Sequence, residues 1–376
     1  MINLGQNIKF EGDKTIWGIV FALSLFSILI VYSTAGWVFL FKHTIKLMLG
    51  IFCMYIVHKI KFKYFSKLGQ LGYFLSLALL ILVFIIGISV NGASRWLSIA
   101  GLQFQPSDIA KLTVLLYLAR QLSKERENIY NFKNFIWYIL SPLILICILI
   151  LPNNFSTSAL VFLNGIVLMF IAQVRLKFIF IILFSSLLAC FLIYGATKYT
   201  PIGSYVFPRS VTWVSRVDAF LLDQDNSNQT NDFQQIQALV AIQNGGIKGV
   251  GPGKSTQRNI LPYSSSDFIF AIIIEEYGLF GALSVILAYI ILFFRAIRIS
   301  FRVESLFGSL VTVGLMFSLV SQALINMLVS VEILPVTGQT LPLISMGGTS
   351  IVFTCISLGI ILSISRDSTD RLYDKA

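Results

Sequence analysis

The sequence predicts an all-α, polytopic integral membrane protein with about ten transmembrane helices and one long extracytoplasmic loop. The first observation is composition: 56% of the 376 residues are hydrophobic, 12% are charged, and the mean hydropathy is +0.83. A soluble chain could not cover so much apolar surface with so few charges. The second is a succession of apolar runs of roughly 17–25 residues, the length that crosses a bilayer. We therefore expect a single transmembrane domain over residues 1–376.

The third observation is the placement of the basic residues. The formal net charge is +11, which in a soluble protein would favour nucleic-acid binding. Here the basic residues lie in short connections between apolar runs, which is a signature of membrane topology. No nucleic-acid partner is expected. The four cysteines lie inside apolar runs without CxxC spacing, so they are predicted to be core thiols.

The spans follow the apolar runs in order. The predicted spans are 16–32, 47–57, 71–90, 109–122, 135–151, 160–172, 178–194, 268–294, 306–325 and 346–364. The first run has no convincing cleavage site, so it is interpreted as an uncleaved span. The connections after the second, fourth, sixth and eighth spans are basic, as is the tail, which predicts that both termini are cytoplasmic.

This topology places three polar connections outside: the one containing Trp96, the long stretch 197–266, and the one containing Pro335. One group departs from the pattern, because Lys42, His43 and Lys46 fall in the first predicted outer connection.

Two motifs in the long stretch carry little specificity. Residues 245–255 are rich in glycine and end in GKS, but the GxxxxGK spacing of a phosphate-binding loop is absent. These glycines are predicted to allow close backbone packing or sharp turns. Asp223-Gln224-Asp225 resembles the acidic pair of metal-dependent glycosyltransferases, but so short a pattern does not predict a metal site. No metal-ligand set is predicted.

The acids around the eighth span require a polar environment. Asp267 follows a serine-rich loop at the mouth of the span, and Glu275 and Glu276 lie about 12 Å further along a helix. A carboxylate facing lipid costs on the order of 2.5–3.5 kcal/mol. The three acids are therefore predicted to face a wet cavity lined by protein.

A second charged pair, Asp108 and Lys111, begins the fourth span three residues apart, on one helical face. Two readings stay equally open: a charge pair inside the bundle, or a capping acid with a snorkelling lysine. Taken alone, Arg95 and Trp96 are more typical of interfacial anchors than of a site.

Several blocks, in the same order along the chain, resemble the SEDS family, the FtsW/RodA-type proteins of cell division, elongation and sporulation. The blocks are Val31–Ser33, Gly92–Leu97, Phe104–Lys111, Ala241–Gly251, Asp267–Ala271, Glu275–Gly278 and Gly338–Ser350. They cover nearly the whole chain. The last block and the short termini look more like the division branch, FtsW, than RodA.

The resemblance implies a peptidoglycan glycosyltransferase in the bacterial cytoplasmic (inner) membrane that polymerises lipid II at the outer face. It implies a class B penicillin-binding protein as partner, together with other divisome membrane proteins and membrane lipids. Asp267 corresponds to the essential acid of the family, Trp96 to a functionally important position, and Asp108 and Lys111 to a charged pair lining the central cavity. The family usually has Glu at position 108 and His-Thr where Ser265 and Ser266 stand.

The reaction joins a sugar hydroxyl to an anomeric carbon that carries a lipid diphosphate, so it requires a base and cations. Asp267 is our hypothesis for the base. The hypothesis for diphosphate contacts names Arg95, Lys111, Lys254 and Arg258. A divalent cation, Mg²⁺ or Mn²⁺, could do the same work, although the sequence names no ligands for it. The alternatives are a lipid II flippase, a RodA-type elongation polymerase, and a scaffold without chemistry.

Overall fold

The structure, a computed structural model, describes residues 11–90, 93–99, 102–200, 209–222 and 229–374. The helices are α1 Lys14–Lys59, α2 Lys63–Ile86, α3 Pro106–Lys124, α4 Phe132–Ile150, α5 Phe155–Ile171, α6 Leu176–Tyr199, α7 Ser210–Leu222, α8 Gln229–Gly245, α9 Ile269–Arg302, α10 Leu306–Ser330 and α11 Ser350–Asp374. The strands are β1 Ile88–Val90, β2 Ala93–Ile99 and β3 Leu102–Phe104.

Seven of the described helices are long and apolar enough to cross a membrane: α1, α2, α4, α6, α9, α10 and α11. The helix α1 has 46 residues and is bent at Gly36, so its two halves supply two spans. The shorter apolar helix α5 and the more polar α3 complete the set predicted from the apolar runs. The prediction of an all-α, polytopic integral membrane protein is confirmed.

The bend in α1 explains the discordant charges near the first connection. Gly36 has φ 74° and ψ −176°, a conformation that glycine adopts readily, so the chain reverses at one residue without a loop. Lys42, His43 and Lys46 therefore lie in the second half of α1, and their assignment to an outer connection is wrong. His43 is buried, and its Nε2 lies 2.7 Å from the Ser27 hydroxyl.

The centre of the bundle consists of α3, α10 and α11. The first half of the chain packs around it, α1 against α11 and α2 against α3, while α9 packs against α10. The helix α6 lies at the periphery, with Phe178, Ile179 and Ile182 as its buried residues. This arrangement encloses the polar residues of α3 and α10 and leaves the outer helices apolar on their exposed faces.

The connection between α2 and α3 forms a small sheet that the sequence analysis did not anticipate. The strands pair antiparallel in the order β1-β2-β3. In the first pair Ile88 faces Trp96 and Ser89 faces Ser94, so Arg95 is an extra residue in β2. Such a bulge bends the strand and redirects a side chain. It places Arg95 and Trp96 at the end of the bundle that also carries the long connection, which we call the loop end.

The long connection predicted at 197–266 contains α7, α8 and the glycine-rich stretch. A Cβ at Gly245 would lie 2.0 Å from the Ile274 carbonyl oxygen, and one at Gly249 would lie 2.3 Å from the Glu276 carbonyl oxygen. The backbone therefore packs directly on the start of α9, as predicted for these glycines. The Asp223-Gln224-Asp225 motif lies outside the described residues.

The helix α9 is divided by Gly278, which has φ 66° and ψ −164°. Residues 279–302 after the bend are long enough to cross a bilayer alone, at roughly 1.5 Å per residue. Glu275 and Glu276 precede the bend, in a short helical segment against the glycine-rich stretch. The structure thus separates both acids from the apolar span in which the sequence placed them.

Candidate active site

The candidate catalytic acid lies in a tight turn before α9. The backbone N–H groups of Ser266 and Asp267 donate to the Tyr263 carbonyl oxygen, at 3.0 and 3.1 Å. Tyr263 has φ 58°, which is strained for a bulky side chain and is typical of functional sites. Asp267 itself is half-buried. We call residues 263–267 the acid turn.

A non-helical stretch, residues 338–346, lies beside the acid turn with most of its residues in the protein interior, and we call it the buried segment. Irregular backbone at this depth is tolerated only where protein groups satisfy its polar atoms. Ser27 Oγ donates to the Ile344 carbonyl oxygen at 2.7 Å, and Tyr289 donates to that of Pro342. Leu343 has φ 65°, so this segment, like the acid turn, contains a strained residue.

Direct hydrogen bonds join the two segments. Ser345 Oγ donates to the Ser266 carbonyl oxygen at 2.6 Å, and the Met346 N–H donates to that of Ser265 at 2.8 Å. A Cβ at Gly338 would lie 3.7 Å from Asp267 Oδ2, so the buried segment borders the carboxylate. The two serines that replace the usual His-Thr support the site here through their backbone carbonyls.

Arginines from two distant parts of the chain surround Asp267. Arg95 comes from the bulge in β2 and Arg216 from α7. Burial raises the pKa of Asp267 above its ordinary value, while hydrogen bonding from Ser266 and the positive charges of Arg95 and Arg216 oppose that rise. Burial lowers the pKa of Arg95, as do the charges of Arg209 and Arg216, whereas the charge of Asp267 acts in the opposite direction. Arg95 and Arg216 thus lie within electrostatic reach of Asp267, and Arg209 lies within that of both arginines.

Sequence analysis named Arg95 but missed Arg209 and Arg216. Arg209 Nη1 donates to the Asn153 carbonyl oxygen at 2.8 Å, and Arg216 Nη1 donates to that of Val336 at 3.0 Å. Among the described residues, Arg216 Nε is buried without a hydrogen-bond partner, so this guanidinium retains a donor that none of them uses. Their seven-residue spacing, which repeats one helical face, was the signal available in the sequence.

Trp96 packs against Gly348, which lies between the buried segment and α11. A Cβ at Gly348 would lie 3.1 Å from both Cη2 and Cζ3 of the Trp96 ring. The ring therefore lies over a glycine with no room for a side chain between them. Trp96 is half-buried, and it joins the sheet of the loop end to the residues that precede α11.

Asp108 and Lys111 line a cavity between α3, α10 and α11, together with Ser318 and Gln322. The cavity encloses about 410 Å³ of empty space, including its open side. Thr349 Oγ1 donates to Asp108 Oδ2 at 3.2 Å, while Lys111 Nζ donates to Gln322 Oε1. The two charged groups thus face one cavity and bind different partners, in contrast to a simple charge pair.

Glu275 and Glu276 are not among the residues that line this cavity. Glu275 is fully buried and accepts hydrogen bonds from Ser255, Thr256, Gln257 and Asn244. It therefore anchors the 255–257 loop.

Glu276 accepts from the Ser33 hydroxyl, and its Oε2 is buried without a partner. Arg258 Nη1 donates to the Ser33 carbonyl oxygen at 2.9 Å, while Lys254 is exposed. The structure thus places Arg258 at the end of the first half of α1.

A divalent cation would need a set of ligands. Within the part of the chain that the structure describes, no three His, Cys, Asp or Glu side chains converge as a metal-binding group. A Mg²⁺ or Mn²⁺ ion stays a prediction, since the acidic motif at 223–225 lies outside the described residues.

Comparisons with known proteins identify relatives over nearly the whole chain. A probable peptidoglycan glycosyltransferase FtsW from Geobacter sulfurreducens is 29% identical over 97% of this chain and 98% of its own length. A second FtsW relative, from Legionella pneumophila, is 31% identical over 95% of this chain and 91% of its own length.

Two solved structures extend the likeness to the fold. The first is a chain from a structure described as showing the structural coordination of polymerization and crosslinking by a peptidoglycan synthase complex. It superposes on this chain with a TM-score of 0.79 at 25% sequence identity, and the match covers 95% of this chain and 98% of that chain. The rod shape determining protein RodA of Thermus thermophilus shares the fold, with a TM-score of 0.69 at 23% sequence identity. This match covers 95% of this chain and 97% of the RodA chain. The family described as cell cycle proteins, FtsW/RodA/SpoVE, matches residues 11–370, and the chain belongs to this SEDS family.

Proposed function

We propose that this chain is a peptidoglycan glycosyltransferase that polymerises lipid II into glycan strands during cell division, with Asp267 as the general base. The observation that carries the assignment is a half-buried carboxylate at the loop end, within the electrostatic reach of Arg95 and Arg216. The names of its relatives, probable peptidoglycan glycosyltransferase FtsW, support the same reaction.

The chemistry requires one proton transfer and one leaving group. The oxygen of an acceptor sugar hydroxyl forms a bond to the anomeric carbon of the donor, and its proton passes to Asp267. The bond from that carbon to the lipid diphosphate breaks, and the diphosphate leaves with the bonding electrons. A carboxylate with a raised pKa is better suited to take a hydroxyl proton than an ordinary one.

The arginines have a second role in this scheme. Guanidinium groups bind phosphate oxygens in a bidentate manner and remain charged even when partly buried. Arg95 and Arg216 are therefore proposed to bind the diphosphate as negative charge develops on it, with Arg209 supporting the field. Lys111, in the cavity, is proposed to contact substrate groups that enter the bundle.

The proposed orientation follows the positive-inside rule. Both termini lie in the cytoplasm, and the loop end faces outward from the bacterial cytoplasmic membrane. A class B penicillin-binding protein that crosslinks the new strands is the proposed partner. The likeness to a protein from a peptidoglycan synthase complex supports this pairing. Other divisome membrane proteins and membrane lipids are proposed as further contacts.

The decisive experiment is polymerisation of labelled lipid II by purified protein with its class B partner, comparing wild type with Asp267→Asn. Asparagine keeps the size of the side chain but cannot accept the proton, so we expect no strand formation. Glu332→Gln is a matched control, because Glu332 is an exposed acid at the end of α10. It should polymerise like wild type. Near-normal polymerisation by Asp267→Asn would refute the assignment.

A lipid II flippase is the second candidate, favoured by the cavity that Asp108 and Lys111 line inside the bundle. It predicts that Asp267→Asn still moves labelled lipid II across a vesicle membrane although it makes no polymer. Absence of translocation by polymerisation-competent wild-type protein would eliminate it.

The elongation role of RodA is distinguished genetically. The division role predicts that cells depleted of this protein form filaments, whereas loss of an elongation polymerase would make them round.

A further inference from the structure

We infer that Asn326, near the C-terminal end of α10, is the positioning residue that holds Asp267 in place for proton transfer. The inference rests on the proposed function, because it concerns the acid assigned as the base. Asn326 does not touch the reacting atoms in this scheme. It acts through the backbone of the acid turn.

The contacts of Asn326 join the two segments of the site. Its Nδ2 donates to the Asp267 carbonyl oxygen at 2.7 Å and to the Gln339 carbonyl oxygen at 2.8 Å. The residue is 1% exposed, so its amide has little access to bulk water as an alternative partner. A side-chain amide supplies two N–H donors in one plane without a charge. One side chain therefore fixes the acid turn to the buried segment.

The acceptor atom of the same amide adds a second observation. Asn326 Oδ1 is buried and has no hydrogen-bond partner within the part of the chain that the structure describes. A buried acceptor without a partner has a free-energy cost, so the amide is oriented for its two donors rather than for its oxygen. An aspartate at this position would set a carboxylate against two carbonyl oxygens.

The bond to Asp267 complements the other links between the segments. Ser345 holds the carbonyl of Ser266, in the peptide unit that precedes the Asp267 Cα. Asn326 holds the carbonyl of Asp267 itself, in the peptide unit that follows this Cα, so it fixes the second side of the residue from which the carboxylate projects. Displacement of a reacting group by about 1 Å can cost on the order of 100-fold in rate.

The neighbouring turn of α10 binds the same buried segment without touching the acid turn. Gln322 Nε2 donates to the Thr340 carbonyl oxygen at 2.8 Å, and its Oε1 accepts from Lys111. Ser318, Gln322 and Asn326 are spaced four residues apart, on one helical face. This face lines the cavity at Ser318 and Gln322 and reaches the acid turn at Asn326.

The test uses the full-length protein with its class B partner and labelled lipid II. Asn326→Ala should lower kcat by about 10- to 100-fold, with KM within about twofold of wild type. Asn326→Ser retains one donor, so its kcat should lie between those of Asn326→Ala and wild type. The kcat of Asn326→Asp should be no higher than that of Asn326→Ala. Ser330→Ala is the control, because the Ser330 hydroxyl donates within the helix to the Asn326 carbonyl. It should match wild type.

The pH profile separates positioning from general destabilisation. Burial raises the pKa of Asp267, so a loosened acid turn that admits water should lower this pKa. The acid limb of kcat/KM should therefore move to lower pH in Asn326→Ala and stay in place in Ser330→Ala. A kcat within twofold of wild type with an unchanged acid limb would overturn the inference. So would equal losses in Asn326→Ala and Ser330→Ala.

A measurement that does not depend on enzyme activity tests this inference separately from the proposed function. Hydrogen exchange should show faster exchange of the Ser266 and Asp267 amides in Asn326→Ala than in wild type or Ser330→Ala. Equal exchange in all three would reject the positioning role. An inactive wild-type protein, or an active Asp267→Asn variant, would instead count against the proposed function.

Discussion

Replacing Glu275 with alanine tests whether this acid is an anchor or a substrate-facing residue. The side chain is 0% exposed, and its carboxylate accepts from the backbone N–H of Thr256 at 3.2 Å and of Gln257 at 3.3 Å. It also accepts from the hydroxyl of Ser255. Alanine removes the acceptor for all of these donors at once. We expect the substitution to damage folding stability rather than a catalytic step.

The magnitude follows from the donors that lose their acceptor. A buried donor without a partner costs about 1–3 kcal/mol. The two backbone N–H groups cannot turn away, whereas the hydroxyls can rotate to other acceptors. We therefore expect Glu275→Ala to lower the free energy of unfolding by about 3–5 kcal/mol. Glu275→Gln keeps one acceptor oxygen and should cost about 1–2 kcal/mol.

The assay is the apparent melting temperature of purified protein in one detergent. At about 2 °C per kcal/mol, the low end of the range for large domains, Glu275→Ala should melt about 6–10 °C below wild type. Glu275→Gln should melt about 2–4 °C below it. The reasoning is refuted if Glu275→Ala melts with wild type and loses polymerisation, because that result would assign Glu275 to the substrate.

Two further predictions concern the surroundings of Asp267. Arg216→Gln removes a positive charge that opposes the rise in the pKa of Asp267, so this pKa should rise further. The base is then protonated up to a higher pH, and the acid limb of the rate profile should move upward; an unchanged or lowered limb would contradict this. Gly348→Val brings a branched side chain against the Trp96 ring, which would lie only 3.1 Å from the new Cβ, so the ring must move and polymerisation should fall about tenfold or more. Gly195→Ala, at a helical glycine with no neighbouring atom within 4 Å, should remain fully active, and equal activity of both glycine variants would exclude a role for this contact.

The membrane fold was predictable because bilayer thickness imposes a minimum apolar length, and a hydropathy window detects that length directly. The reversals between spans were not. The apolar run before Gly36 predicts a helix followed by a loop, because nothing in its composition shows that a single residue with positive φ will reverse the chain. Polar residues 42–46 consequently looked like loop residues, although they belong to a helix.

Only those residues of the candidate site whose type is unusual for their position in the sequence were predictable. Asp267 attracted attention as an acid at the mouth of an apolar run. Arg216 did not, because a basic residue in a polar loop is ordinary until the fold places it near Asp267. Asn326 had a detectable signal, since a polar side chain in an apolar span needs a partner. Its partners, two backbone carbonyls, have no signature in the sequence.

The position of Asn326 changes how the site should be understood. The acid turn belongs to the loop end, yet the carbonyl of Asp267 is held by a side chain from a central helix of the bundle. The same helix binds Lys111 in the cavity one turn away, through Gln322. Because both residues bind consecutive carbonyls of the buried segment, at Gln339 and Thr340, a shift of α10 would act on the cavity and the acid together. Asp267, the acid proposed as the base, is therefore held from a central helix of the bundle, and Arg95 and Arg216 act on it from the connections at the loop end.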